Sequence, residues 1–394
     1  MSGKQGEKQV GKTMGSWISM DEACKRLKVR PQTVYAYVSR GKIEVTSDPA
    51  DTRRSLYRAE DIATLARRKQ AGRKFETLAT NTLFGAEPSI PTAISTFVRE
   101  RLYFRGQDAV ALARSATLEE AAHLLWDAEQ PVDFSSSARV GQPGRVAAFK
   151  ALAELAATGH STHGRMARVL HGESQTLVGL LANAFGAQPG QLPLHMRLTR
   201  GWKQPAQTGE LLRTAMVLLL DHELTSSAFA ARIAASNGAS LPACLLSGLT
   251  TLSGPLHGDA SGRVRALFSE VERCGEDDIV AHYLSTGLPL PGFGHHLYPE
   301  GDPRAMALLA LFDPPPVIAR FIDKATHLTG LHPNIDVALA ALVTHCGLPD
   351  DAAFAMFATA RSVGLLAHSL EQLAVGQVIR PRGRYVGPAI DLQR

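Results

Sequence analysis

Seven polar residues lie in apolar or glycine- and proline-broken sequence, where a charged or imidazole side chain needs a reason to be. His257 follows a Gly254-Pro255 break and precedes a helix that begins near Ala260. The positive end of that helix disfavours imidazolium, so the ring stays neutral and can donate a hydrogen bond to a developing enolate. His295 closes Pro291-Gly292-Phe293-Gly294-His295, a tight backbone that presents the ring, and Arg304 follows in Asp302-Pro303-Arg304. Asp336 opens the apolar helix Val337 to Val343, where the dipole favours carboxylate over carboxylic acid. Arg361 stands in an apolar helix, where its planar fork calls for an anion such as a small dicarboxylate, or for a place at a rim. His222, in Leu220-Asp221-His222-Glu223, and Arg380, in Arg380-Pro381-Arg382, complete the set. Each alone has a plainer reading: a structural histidine, an exposed loop, a capping aspartate.

The elements that must position these residues are helices. From about Phe75 onward, long Ala/Leu-rich helical patterns alternate with Gly/Pro punctuation. The stretch Ser95 to Ala113 is the exception, with a short strand pair ahead of a helix from Leu118 to Ala128. The 394 residues are 45 % hydrophobic, ample for a large core. The four cysteines form no CxxC or Cys/His cluster, so neither a zinc site nor a disulfide framework is indicated. No metal site is expected. No apolar run reaches the length of a membrane span, and Met1 to Lys12 lack the apolar core of a signal peptide. A cytoplasmic protein without membrane contact is the expectation.

Charge is unevenly spread. The net charge is +5, yet residues 1–75 hold 17 Lys and Arg against 8 Asp and Glu, a local +9, and the remainder carries −4. A basic module attached to an acidic domain follows from this. Residues 1–15 read as a disordered tail. Ser19 to Lys28 and Pro31 to Ser39 read as two short helices, the second ended by Gly41. A small β-wing around Ile43 to Val45 and Leu56 to Arg58 and a third helix from Glu60 to Lys69 follow. The text "MDEACKRLKVRPQTVYAYVSRGKI" and "DTRRSLYRAEDIATL" resembles the MerR-like and excisionase-like helix-turn-helix family. That resemblance, over residues 16–74, implies DNA as a partner. Gln32, Thr33, Tyr35 and Tyr37 would meet bases and sugars, and Arg53, Arg54 and Arg58 would meet phosphates.

The remaining chemistry-bearing text is "LLLDHELTSSAFAARI", "LSGPLHG", "PGFGHHLYPEGDPRA", "HPNIDVALAALVTHCGLP", "MFATARSVGLLAHSLEQ" and "IRPRGRYVGP". In order and spacing it resembles the citrate synthase family, strongly from Leu218 to the C-terminus. The resemblance implies a two-lobed, all-helical domain over residues 76–394 that acts as a homodimer. It implies oxaloacetate and an acyl-CoA as substrates, acetyl-CoA or propionyl-CoA, giving citrate or 2-methylcitrate without a cofactor. Asp336 would remove the α-proton, His257 would stabilise the enolate, and His295 would polarise the oxaloacetate carbonyl. His222, Arg304 and Arg361 would hold carboxylates, and Arg380 would reach the site of the partner subunit. The residue types suit this chemistry. A thioester α-proton is too weakly acidic for a carboxylate to remove unaided, so preorganised donors must stabilise the enolate as it forms. One such donor contributes about 3–4 kcal/mol, and general-base help adds roughly 10²–10⁴-fold.

Three departures from that family set further expectations. Asp259 stands where a small residue is usual, and its carboxylate is expected to raise the pKa of His257. His296 stands where many members have Arg, which weakens a CoA phosphate contact. The stretch 135–215 reads as shorter than usual, as if part of the helical middle were missing. With the basic N-terminal module, these features also fit a DNA-binding regulator whose synthase-like domain senses acyl-CoA or oxaloacetate.

Overall fold

The computed structural model describes residues 17–65, apart from 28, 30, 40, 41, 49, 50, 52, 53 and 64, together with residues 90–381 and 385–388. The chain divides into two compact units, residues 1–90 and 91–394.

In the first unit, β1 (Trp17–Ile18), α1 (Met20–Leu27), α2 (Pro31–Ser39), β2 (Val45–Ser47) and β3 (Ser55–Arg58) follow in order. The three strands form one antiparallel sheet in the order β1-β3-β2. Ala23, Leu27, Val34, Ile43, Tyr57 and Ile62 make its small core. The strand expected at Ile43 to Val45 runs instead from Val45 to Ser47. Its register pairs Val45 with Tyr57, which leaves Ile43 free to fill the core. Residues 59–63 and 65 are helical; Gly41, the tail 1–15 and positions 64 and 66–69 of the expected third helix lie outside the described residues.

The second unit opens with an antiparallel sheet of β4 (Ser95–Val98), β5 (Arg101–Phe104) and β6 (Gln107–Asp108). Helices then follow: α3 (Ala109–Ala113), α4 (Leu118–Trp126), α5 (Arg145–Thr158), α6 (Ala167–Ala184), α7 (Leu194–Gly201) and α8 (Thr208–Leu218). Next come α9 (Ser226–Ser236), α10 (Leu241–Leu252), α11 (Ala260–Cys274) and α12 (Glu276–Thr286). The last four are α13 (Pro303–Leu309), α14 (Pro316–Thr329), α15 (Ile335–Cys346) and α16 (Ala352–Val375). Their starts are written in the sequence. Thr117 and Glu120 form a capping box for α4, and Thr225, Ser240, Asp302 and Asn334 cap α9, α10, α13 and α15.

Two hydrophobic cores organise this unit. The larger gathers β4 and β5 with most of the helices; the smaller gathers α11, α12, α14 and the Leu290–Phe293 loop. Helix α15 serves both. Ile335, Ala338, Leu339, Leu342 and Val343 recur at helical spacing and face the larger core, while Val337, Ala340 and Ala341 face the smaller. Apolar on both sides, α15 forms the seam, and its first turn carries Asp336. Helix α16 is long and apolar enough to cross a membrane, but it is buried along nearly its whole length as the central helix of the larger core.

Candidate active site

The seam brings six of the seven singled-out residues together. His222 lies just beyond α8, and its Nε2 is 3.0 Å from the Tyr298 hydroxyl. Its ring is 5.4 Å from that of His295. Burial, then the positive charge of Arg304 and Arg361, pushes its pKa well below the ordinary range. His295 accepts the Leu297 N–H on Nδ1 at 3.1 Å, so the neutral ring carries its proton on Nε2. Burial and Arg304 lower its pKa to about 4. His296 stacks on it at 4.9 Å between ring centroids.

His257 sits in the turn between α10 and α11. Gly258 is required there, because a Cβ would come within 2.6 Å of the Leu252 side chain and 2.9 Å of its carbonyl. The His257 Nε2 is 2.8 Å from Ser227 Oγ, and Ser227 Oγ is 3.0 Å from Thr225 Oγ1. Its pKa falls to about 4 through burial, then Arg361. The ring is thus neutral as expected, but burial rather than the helix dipole is the main cause. Asp259 is not among the groups that shift the ring, and its carboxylate is held by both Nη atoms of Arg145, at 3.0 and 2.8 Å.

Asp336 departs from expectation more sharply. Its backbone N–H is capped by Asn334 Oδ1 at 3.0 Å, but its own Oδ1 is buried without a hydrogen-bond partner. Burial raises its pKa to about 7, against the pull of Arg304, the Ser261 N–H and Arg361. Desolvation therefore outweighs the dipole of α15, which acts from one turn while the low-polarity seam surrounds the group.

The two central arginines differ. Arg304 is 3 % exposed and is gripped by Asp302, with Nε on Oδ1 at 3.0 Å and Nη2 on Oδ2 at 2.8 Å. Arg361, 1 % exposed, donates Nε to the Leu219 carbonyl at 3.0 Å. Burial lowers its pKa to about 10, although Asp221 works against the fall. A cavity of about 90 Å³ lined by Tyr298, Pro303, Arg304, Arg101 and Asp108 lies beside Arg304. A cavity of about 630 Å³, lined by His163, Arg165, His171 and Glu371 among others, contains none of these residues.

Arg380 stands apart. It is exposed on the chain beyond α16, where Ile379 N–H donates to Ser236 Oγ at the far end of α9. In the first unit Gln32 and Tyr35 are exposed on α2, Thr33 is half-buried, and Tyr37 packs on the small core. Arg58, expected to be available for phosphates, is held by Glu44 at 2.8 Å and Glu60 at 3.2 Å. Arg54 pairs with Asp51 at 3.3 Å, and Arg53 lies outside the described residues.

Sequence reasoning passed over Ser227, Tyr298 and Asp302. Asp302 was the most legible of them, since Asp followed by Pro is a helix-start signature and a cap beside a buried arginine doubles as its counter-ion. Tyr298 is 1 % exposed and lies between His222, His295 and Arg304, with the guanidinium 5.4 Å from its ring centroid.

The helical unit thus gathers on one seam three histidines held neutral, an aspartate poised near neutrality and two buried arginines. Residues 147–382 match the profile of the citrate synthase C-terminal domain, and the chain belongs to the citrate synthase family. The citrate synthase of Haloferax volcanii is 33 % identical over 193 residues, 45 % of this chain and 50 % of that one. The citrate/2-methylcitrate synthase of Bacillus subtilis is 30 % identical over 194 residues, 45 % of this chain and 51 % of that one. The chain spans about half the length of the curated relatives it matches.

The crystal structure of citrate synthase from Thermotoga maritima overlays with a TM-score of 0.66 at 24 % identity, covering 78 % of this chain and 96 % of that one. The ternary complex of Thermoplasma acidophilum citrate synthase with carboxymethyl coenzyme A and oxaloacetate overlays with a TM-score of 0.65 at 20 % identity, covering 79 % and 97 %. Residues 135–215 fold into α5 to α7 and the start of α8.

Proposed function

We propose that the second unit condenses an acyl-CoA with oxaloacetate and hydrolyses the resulting thioester to release CoA. The observation that carries this reading is the pairing of Asp336, with a pKa near 7, with histidines that are neutral at that pH. A base whose pKa matches the working pH is half ionised and still strong enough to take a proton. The hydroxyl chain supports a donor role for His257. Ala228 N–H donates to Thr225 Oγ1, and with Thr225 donating to Ser227 and Ser227 to His257 Nε2, the reading we adopt, the His257 proton lies on Nδ1 for the enolate oxygen. His295, with its proton on Nε2, is suited to polarise the oxaloacetate carbonyl. Arg361 and the remaining Nη1 of Arg304 would hold carboxylates, with His222 beside them.

Arg380, exposed beyond α16, would complete the partner's site in a homodimer; light scattering on the purified protein tests the dimer. The catalytic reading is tested by thiol release from acetyl-CoA and propionyl-CoA with oxaloacetate. Wild type should release CoA with at least one of them well above Asp336→Ala; equal rates with both would refute it.

For the first unit we propose duplex DNA as partner, through Gln32 and Tyr35 exposed on α2 and the local charge of +9. Because Arg54 and Arg58 are already ion-paired, few phosphate contacts are expected and the salt dependence should be shallow. Duplex binding measured against salt, with and without residues 1–75, checks this; unchanged affinity after their removal would rule it out.

A further inference from the structure

Arg145 is the first residue of α5, and its guanidinium joins the starts of two other helices. Nη1 and Nη2 donate to Asp259 at 3.0 and 2.8 Å, and Nη2 also donates to Asp351 at 2.9 Å. Asp259 is the N-cap residue of α11 and Asp351 that of α16, yet neither side chain caps its own helix. Both carboxylates are committed to Arg145 instead. The guanidinium also lies 3.8 Å from the centroid of the Phe354 ring. The Arg145 and Asp259 side chains are 35 % and 29 % exposed, so their pairing matters for placement more than for stability.

The pairing spans the two cores. Helices α5 and α16 contribute to the larger, and α11 to the smaller. His257 is two residues before Asp259, and its carbonyl accepts the Ala260 N–H at 3.2 Å. Resting on the reading of His257 as enolate donor, we propose that Arg145 is a positioning residue for that histidine: it anchors the Gly254–Asp259 turn and neutralises the carboxylate beside it.

Charged groups reach this turn from several elements. Arg361 comes from α16 and acts directly on His257. Asp336 comes from α15 and is tied to the first turn of α11 through the Ser261 N–H. The Arg145–Asp259–Asp351 group lies at the end of the turn, and Arg265 of α11 pairs with Asp350, next to Asp351. Asp259 stands two residues from His257 in the same turn, and Arg145 holds its carboxylate with both Nη atoms. Without Arg145, that carboxylate is an unheld anion in the turn that carries the imidazole, and its approach to the ring would favour imidazolium.

The test uses the full-length chain and three variants: Arg145→Met, Asp259→Ala and the double variant. The titration midpoint of His257 is read by side-chain nitrogen NMR, and thiol release is read at pH 8. Arg145→Met should raise the midpoint by about 1. It should also lower kcat by about tenfold through misplacement of the ring, with KM for oxaloacetate changed less than twofold. Asp259→Ala should leave the midpoint where it is, and the double variant should restore it. A purely structural tie predicts that removing Asp259 as well brings no such recovery. A midpoint unmoved in Arg145→Met, or still raised in the double variant, overturns the proposal. Should Arg145→Met not fold, Arg145→Ala serves beside Arg145→Lys, which keeps the charge without the fork and should leave the midpoint unmoved. If wild type releases no CoA, the proposed reaction fails, while the NMR comparison still decides the role of Arg145.

Discussion

Asp302 grips Arg304 with both carboxylate oxygens, and its Oδ2 also accepts the Ile335 N–H at 3.0 Å, one residue before Asp336. The buried cation of the site and the helix that carries its base therefore share one anchor. Burial opposes ionisation of Asp302, but Arg304 and its hydrogen bonds hold the pKa below the ordinary carboxylate value.

Asp302→Ala should destabilise the fold by about 3–5 kcal/mol, because it leaves a buried guanidinium without its partner. Asp302→Asn keeps one acceptor oxygen, enough for one of the two backbone N–H groups, and should cost less than Asp302→Ala. Since the folded pKa is depressed, the stabilisation is present above the unfolded value, near 3.8, and is lost as pH falls further. Urea denaturation at pH 7 and pH 3 should show the gap between wild type and Asp302→Asn closing in acid.

Asp336→Asn should abolish most thiol release, by about 10²–10⁴-fold. In the wild type, the acid limb of kcat should have its midpoint near pH 7, because the ionised form is the base. The same residue lowers stability at high pH. Its folded pKa is raised, so its favourable contribution is complete below the unfolded value and disappears as pH rises through about 7. Asp336→Asn should therefore be more stable than wild type at pH 8, by about 4 kcal/mol, and nearly equal to it at pH 4. Thermal melts at the two pH values read the crossover.

Ser227→Ala removes the hydroxyl that meets His257 Nε2. A single hydrogen bond of this kind is worth about 1–1.5 kcal/mol, so kcat should fall by about tenfold. Oxaloacetate binding should hardly change, because Ser227 does not belong to the arginine group. Isothermal titration with oxaloacetate, beside steady-state kinetics, separates the two effects.

Arg361→Met should weaken oxaloacetate binding by about 2–4 kcal/mol, thirtyfold or more in KM. The fold should survive, since an apolar replacement in a buried, partly unpaired position is often neutral or stabilising. Because burial brings Arg361 to about 10, oxaloacetate affinity in the wild type should decline above that pH. A flat KM from pH 8 to pH 10.5 would argue against Arg361 as the carboxylate partner.

Much of the scaffold was legible because it is built from local signals. The helix from Pro31 to Ser39, the break at Gly254-Pro255 and the helix start at Ala260 fall where capping and periodicity put them. The electrostatics were legible only in part, since they depend on partners distant in the chain. Asp259 was read as a neighbour of His257, yet its charge belongs to Arg145, 114 positions earlier. Asp336 was read from its helix dipole, yet its environment is set by a helix buried on both faces. Arg58 looked free because Glu44, its partner, is brought beside it only by the β2–β3 pairing.

The bonds around the seam also determine how many parts the site has. Gly294 N–H meets the His332 carbonyl, Asn334 N–H meets the Gly292 carbonyl, and Asp302 meets Ile335. The His295 loop, Arg304 and Asp336 are thereby stitched into one rigid piece. His222 is joined to that piece through the Tyr298 hydroxyl, and the Tyr298 N–H in turn meets the His295 carbonyl. The spacing of His222, His295, Arg304 and Asp336 is thus set by bonds within the fold itself. Arg361 and the Ser227–His257 pair reach the same seam from α16, α9 and the turn before α11.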